Sequence, residues 1–241
     1  MKLHRFFVPA KSLFGRIIKI EDSEIAKLIS KILRLKPDEH FMLLDGDGFE
    51  YVARLIKANS KEVHAEILKR QMNMHEPELK IALYQSLIKK DNFEWALQKS
   101  TEVGVSAFIP IISERVEKKD FNDERAKKII KEAAEQSERG IIPELFEAQD
   151  FKKVLQRVCQ MEAPTIILHP TGEPIKNYGK NKNLFALNIF VGPEGGFSDA
   201  EIDFARDIKK NGCDIEIINL GSRILRSETA GVVAAGIMLN R

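Results

Sequence analysis

A chain of 241 residues, 44% hydrophobic and 31% charged, has the composition of a globular protein and the length for one large domain or two unequal ones. No apolar run approaches a membrane span, and the N-terminus lacks the hydrophobic core of a secretory signal, so a cytosolic protein is expected. The net charge of +2 names no partner, but its distribution is uneven: residues 1–70 carry fourteen Lys and Arg against ten Asp and Glu, and the remainder carries a slight acidic excess. A basic small part beside a near-neutral large one fits an RNA-reading module attached to a catalytic domain. A solvated basic face accounts for the same excess.

Residues 1–70 read as short strands around one helix. His4–Val8 and Arg16–Ile20 are β-prone, and Ser23–Leu33 has apolar Ile25, Leu28, Ile29, Ile32 and Leu33 at helical spacing, with Asp22 or Ser23 as N-cap. Phe41–Leu44, Asp45-Gly46-Asp47-Gly48 and Phe49–Ile56 read as a hairpin, because Asp-Gly pairs supply the positive φ of a tight turn. Glu62–Leu68 alternates like another strand, and the set predicts a small β-barrel. Gln71–Pro77 is a polar break and the expected linker. Beyond it strands (Leu79–Leu87, Ala107–Ile112, Thr165–Leu168, Leu187–Val191, Asp214–Asn219) alternate with helices (Asp91–Glu102, Asp123–Arg139, Phe151–Val158, Ser198–Lys209, Ser227–Leu239). That alternation predicts an α/β domain with a mainly parallel sheet. Ser198 and Glu201 have the spacing of a capping box. Cys159 and Cys213 lie far apart with no Cys-x-x-Cys or histidine pair nearby. Zinc is not expected, and both are read as buried free thiols.

Two segments hold the chemistry. Val191-Gly192-Pro193-Glu194-Gly195-Gly196-Phe197 and Leu220-Gly221-Ser222-Arg223-Ile224-Leu225-Arg226-Ser227-Glu228-Thr229-Ala230 each follow a strand and precede a helix. Exposed backbone at neighbouring strand ends builds ligand pockets. The first has neither dinucleotide-fingerprint nor P-loop spacing. It offers close backbone approach and one carboxylate, which suit a ligand with hydroxyls or positive charge; a plain strand-to-helix turn is the alternative. In the second, two arginines at a helix start are electrostatically odd unless something negative binds. A surface pair between Arg226 and Glu228 is the alternative.

Both segments resemble the RsmE family of 16S ribosomal RNA uridine N3-methyltransferases, members of the SPOUT class. The similarity extends through Phe93-Glu94-Trp95, Gln98 to Gly104, Ile109-Pro110, Ser113-Glu114-Arg115 and Glu132 to Ser137 with Arg139 and Pro143. At the N-terminus it includes His4 to Val8, Ile32-Leu33-Arg34 and Asp45-Gly46. Ala26-Lys27 stands where relatives often carry a His pair, and Ser227 where Thr is common.

The resemblance implies a PUA-like RNA-binding β-barrel over residues 1–70 and a SPOUT trefoil-knot domain over 77–241. It implies S-adenosyl-L-methionine as cofactor, a homodimer, and methylation of N3 of a uridine in 16S rRNA (the family's uridine-1498) on the small ribosomal subunit. A tRNA or 23S rRNA target, or an RNA-binding relative without catalysis, are the other readings. It further implies main-chain cofactor contacts around Leu168 and His169, at Gly192, Pro193, Glu194, Gly195 and Gly196, and at Leu220, Gly221, Ile224 and Leu225. His169 is equally readable as a loop histidine with no role. The glycines are expected to relieve crowding at the knot crossing.

Uracil N3–H must lose its proton, so a cation that stabilises the anion or a base that takes the proton would lower the barrier. Arg115 and Arg226 match motif arginines and are the candidate cations; Glu228 and Glu102 are the candidate carboxylates, with a Lys99 pair as the alternative for Glu102. Lys2, Arg5, Lys11, Arg16 and Arg34 are expected at RNA phosphates. Phe6 or Phe7 would stack on bases or else pack in the barrel core.

Overall fold

The protein is described by a computed structural model over residues 3–117, 120–161, 163–179 and 183–240. It divides into two compact units, residues 1–76 with 134–142, and residues 77–133 with 143–241.

The first unit holds β1 (Arg5–Phe7), β2 (Ile17–Ile20), α1 (Ser23–Lys27), β3 (His40–Leu44), β4 (Phe49–Ala58) and β5 (Val63–Met72). Its sheet runs β1-β3-β4-β5-β2, with β1 parallel to β3 and the other pairs antiparallel. The sheet curls as a half-barrel around Phe6, Phe41, Leu43, Leu55, Val63 and the helical Ile25 and Ile29. Asp22 caps α1 by accepting from the Glu24 and Ile25 amides, and the chain then tightens into a π turn over Leu28–Ile32. At the hairpin, the Asp45 carboxylate accepts from the Asp47 and Phe49 amides, and Gly46 and Gly48 take φ of +83° and +96°.

Residues 134–142 belong to this unit, an excursion absent from the continuous boundaries read in the sequence. Ala134 packs with Phe7, Met42 and Leu44. The Glu135 carboxylate accepts from the Phe7 amide at 2.9 Å. Glu76 receives two guanidinium bonds from Arg139 and the amides of Gly140 and Ile141. These bonds satisfy a chain that has left its helix at Gln136 and turned through Glu138, whose φ is +65°.

The second unit holds β6 (Lys80–Ser86), α2 (Lys90–Val103), β7 (Ala107–Ile112), α3 (Asp123–Gln136, its last turn in the first unit), β8 (Glu144–Leu145), β9 (Gln149–Asp150) and α4 (Phe151–Val158). Then follow β10 (Thr165–Pro174), β11 (Ala186–Val191), α5 (Asp199–Lys210), β12 (Ile215–Asn219) and α6 (Ser227–Leu239). The sheet order is β12-β10-β11-β6-β7-β8, with β9 also on β7, and every pairing is parallel. Parallel strands need both faces covered. Tyr84 stacked on Phe190 at 4.2 Å, with Phe151 and Phe197, fills one side, and α6 packs along β6 and β11 on α2.

β10 contains a detour. It pairs with β12 up to Leu168 opposite Ile218, leaves the ladder, and returns with Glu173 opposite the same Ile218. A Cβ at Gly172 would overlap the main chain of Ile217 and Ile218, and the Asn219 amide donates to the Gly172 carbonyl. The two backbones approach so closely there that only glycine fits. Crowding is severest at Gly172; of the glycines expected to relieve it, Gly192 is tightly packed, whereas Gly195, Gly196 and Gly221 are not.

The cysteines are not free thiols. Cys159 at the end of α4 and Cys213 ahead of β12 form a disulfide, with Cα atoms 5.2 Å apart. A separation of 54 residues concealed the pairing. Packing of α4 on α5 brings the two ends together.

Candidate active site

A cavity of about 860 Å³ lies at the carboxyl ends of β10, β11 and β12, where open parallel sheets form their ligand crevices. Three loops wall it: Leu168–Pro170, Val191–Phe197 and Ile218–Ala230. Lys89, Asn92 and Arg115 complete the rim. All the residues expected at the cofactor line this one space, namely Leu168, His169, Gly192, Pro193, Glu194, Gly195, Gly196, Leu220, Gly221, Ile224 and Leu225.

Each loop is shaped for a local reason. Gly196 has φ of +68° and Gly221 +111°, conformations that disfavour a side chain. Gly192 lies where a Cβ would sit 3.0 Å from the Phe197 amide nitrogen. Gly195 needs glycine for neither reason: a Cβ there would meet only the Arg115 side chain, at 3.4 Å. α5 holds the first loop from behind through the capping box, in which the Ser198 hydroxyl and the Glu201 side chain exchange bonds with each other's backbone amides. Glu201 is 2% exposed and also accepts from the Glu114 amide at 2.8 Å. Its carboxylate thus ties the Ser113–Arg115 turn to the glycine loop, and the Arg115 guanidinium donates to the Gly195 carbonyl at 2.6 Å.

The floor is polar and buried. The Gln85 amide donates to the Ser227 hydroxyl at 2.9 Å, and that hydroxyl donates to the Gly192 carbonyl at 2.5 Å. This relay joins the start of α6 to β6 and to the end of β11. Glu228 is 7% exposed, and its Oε2 is buried without a hydrogen-bond partner among the described residues. A buried acceptor left unpaired costs about 1–3 kcal/mol, so the position asks for a donor from a ligand. Arg226 is the N-cap of α6, exposed at the rim. Among the described residues no ion pair joins it to Glu228, which removes the surface-pair alternative. His169 is half-buried, and its Nδ1 accepts from the Thr171 amide at 3.3 Å and lies 2.8 Å from the Thr171 hydroxyl. Burial, and then Arg206, push its pKa below the ordinary imidazole value.

Several expected site residues lie elsewhere. Glu102 does not line the cavity; it pairs with Lys99 at 2.8 Å, far along α2 from the rim residue Asn92. Arg5 is not available to a phosphate: its side chain is 10% exposed, between Glu50 at 2.6 Å and Glu138 at 3.0 Å. Phe6 and Phe7 are buried at 2% and 5% exposure, which removes them as stacking platforms. Lys11, Arg16 and Arg34 are exposed, and Lys2 lies outside the described residues. The sequence reading missed Lys89, Asn92, Gln85 and Ser227. The last lay in the quoted motif, but the other three had no signal apart from the fold.

The whole chain has close relatives. Residues 75–239 match the family model of an RNA methyltransferase domain, and residues 15–68 match that of an RNA methyltransferase PUA domain. Over 207 residues the chain is 32% identical to the ribosomal RNA small subunit methyltransferase E of Mesomycoplasma hyopneumoniae, covering 84% of this chain and 86% of that one. Over 222 residues it is 30% identical to the protein of the same name from Bacillus subtilis, covering 86% and 83%. A crystal structure of the ribosomal RNA small subunit methyltransferase E of Neisseria gonorrhoeae, bound to S-adenosyl methionine, is 30% identical. It matches with a TM-score of 0.84 over 98% of this chain and 97% of that one.

Proposed function

This chain belongs to the ribosomal RNA small subunit methyltransferase E family, and on that premise we propose that it methylates N3 of a uridine in 16S rRNA of the small ribosomal subunit, using S-adenosylmethionine. The observation that carries the reading is one cavity in which both glycine-bordered loops meet a pair of arginines and a buried, unpartnered carboxylate.

The residues present fit the cofactor. The volume lies in the range of small-molecule sites. Main-chain groups of Leu168, Gly192 to Gly196 and Leu220 to Leu225 supply donors and acceptors for an adenosine, and Glu194, Asp199 and Glu228 favour a cationic ligand. When bound, the cofactor supplies an electrophilic methyl group. The protein's part is to hold the uracil and manage its N3 proton. Arg226, on the rim at the start of α6, stabilises the negative charge that develops on the ring as that proton leaves. Arg115, braced by its bond to the Gly195 carbonyl, orients the base or its phosphate. Arginine stays protonated at neutral pH and cannot serve as the base; of the cavity's carboxylates Glu194, Asp199 and Glu228, we assign the proton to Glu228, whose Oε2 is buried without a partner among the described residues. Glu102, paired with Lys99, has no part.

A homodimer in the cytoplasm is the assembly this reading carries. α6 is apolar on every side, leaving Ile237 36% exposed, and Trp95 on the neighbouring α2 is 41% exposed. A helix apolar all round asks for cover on both faces. The test of function is transfer of isotope-labelled methyl to purified unmethylated small subunits, with the labelled nucleoside identified after digestion. N3-methyluridine is expected. Small subunits left unlabelled, or label in a nucleoside other than N3-methyluridine, would overturn the reading.

A further inference from the structure

With Arg5, Phe6 and Phe7 committed to the interior, the face on which the first unit meets RNA lies elsewhere, and the geometry points to the Leu13–Ile17 turn, with Phe14 as a stacking platform for an unpaired RNA base. This inference rests on the RNA substrate proposed above and assigns a residue to it.

Phe14 is 80% exposed and Ile17 67%, whereas the aromatic rings of β1 and β3 are buried. The exposure belongs to a held segment. On one side, Leu13 is anchored in the core, at the end of a 3₁₀ turn closed by the Ser12 amide on the Pro9 carbonyl at 2.8 Å. On the other, the Arg16 carbonyl accepts from the Ile67 amide at 2.8 Å, and the Arg16 Nε donates to Glu66 at 2.8 Å. Between them Phe14 is extended and Gly15 takes φ of +97°. The turn therefore presents the ring to water from a fixed backbone, so little conformational freedom is lost when a flat partner stacks on it.

The charges beside the ring fit RNA. Lys11 is exposed, with no ion pair among the described residues. Arg16 has a side chain 82% exposed and, among the described residues, pairs through its Nε alone, which leaves the outer guanidinium nitrogens to meet a phosphate. Glu66 is shared with Arg54 at 2.5 Å and Arg54 also reaches Asp38 at 3.2 Å, so these two arginines and two carboxylates balance, and Lys11 supplies the positive excess beside the ring. A ring bracketed by cations is the arrangement that reads single-stranded nucleic acid, whose bases stack while its phosphates pair.

The test uses the full chain, with fluorescein-labelled single-stranded oligouridylate as a binding probe and unmethylated small subunits as substrate. Phe14→Ala is expected to weaken oligouridylate binding about thirtyfold, the central loss for one stacked base. It should raise KM for subunits while leaving kcat, cofactor affinity and the melting midpoint unchanged. Phe14→Tyr should restore binding, and Phe14→Leu should not. Equal affinity of Phe14→Ala and the parent would overturn the inference. So would full binding by Phe14→Leu, or a KM effect on subunits with no effect on oligouridylate, which would indicate an apolar contact with a ribosomal protein. Failure of the parent protein to methylate subunits would instead count against the function proposed above, and the oligouridylate comparison would still decide the role of Phe14.

Discussion

At the scale of single residues, Arg226 and Glu50 show how differently two charged groups can be employed. Arg226 caps α6 through its carbonyl, which accepts from the Ala230 amide at 2.9 Å, while its guanidinium stays at the rim. A charge-assisted hydrogen bond contributes about 1.5–3 kcal/mol. Arg226→Ala should therefore lower the single-turnover methylation rate by about one to two orders of magnitude and leave cofactor affinity nearly intact. Arg226→Lys should recover only part of the rate, because an ammonium lacks the planar fork. Parent rates for both variants would end its catalytic role.

Glu50 is structural. Burial raises its pKa, but bonds from Gln71, Arg5 and Asn73 outweigh that and hold it below the usual carboxylate range. A carboxyl depressed in the folded state contributes stability above its unfolded pKa and loses it as pH falls through the folded value. The melting midpoint should thus decline below about pH 4.5. Glu50→Gln should cost about 1.5–3 kcal/mol at neutral pH, because it removes one of the two carboxylates on Arg5 and leaves Glu138 in place, and it should flatten that acid decline. A parallel acid decline in parent and variant would assign the transition to other carboxylates. Arg226 was legible because it stood in a motif. The burial of Arg5 was not, because its partners are 45 and 133 residues away.

At the scale of elements, strands and helices were legible where a continuous apolar run gives way to a period of three or four, as from β11 to α5, whose capping box is present as spelled. The detour in β10 was not legible, since the apolar run stops at Leu168 and nothing local says that the strand resumes. The loop glycines separate by conformation. Gly196→Ala should cost about 1 kcal/mol for its positive φ and weaken cofactor binding. Gly195→Ala should be nearly neutral, its Cβ meeting only the flexible Arg115. Calorimetric affinities in the opposite order would mean that the loop's shape is not what the site depends on.

The Cys159–Cys213 bond encloses β10, β11 and α5, and closing a loop of that length constrains the unfolded chain by up to about 4 kcal/mol. Reduction, or Cys213→Ser, should lower the melting midpoint measurably. An unchanged midpoint in the reduced protein would show that the cross-link adds nothing to stability.

At the scale of the whole molecule, the basic N-terminal part and the α/β part were legible from charge and periodicity. The return of residues 134–142 to the first unit was not, because Ala134 and the polar groups of Glu135, Glu138 and Arg139 meet partners more than sixty residues away in sequence. Light scattering at micromolar concentration should give a dimer, and Ile237→Lys should shift it toward monomer. A fully active monomeric parent would refute the proposed assembly. The central claim is the identity of the modified base, and mass spectrometry of ribosomal RNA from cells lacking and then regaining this protein tests it most directly. N3-methyluridine should vanish from one position of 16S rRNA in the deletion and return on restoration. An unchanged 16S rRNA, with a modification lost from another RNA instead, would contradict the account.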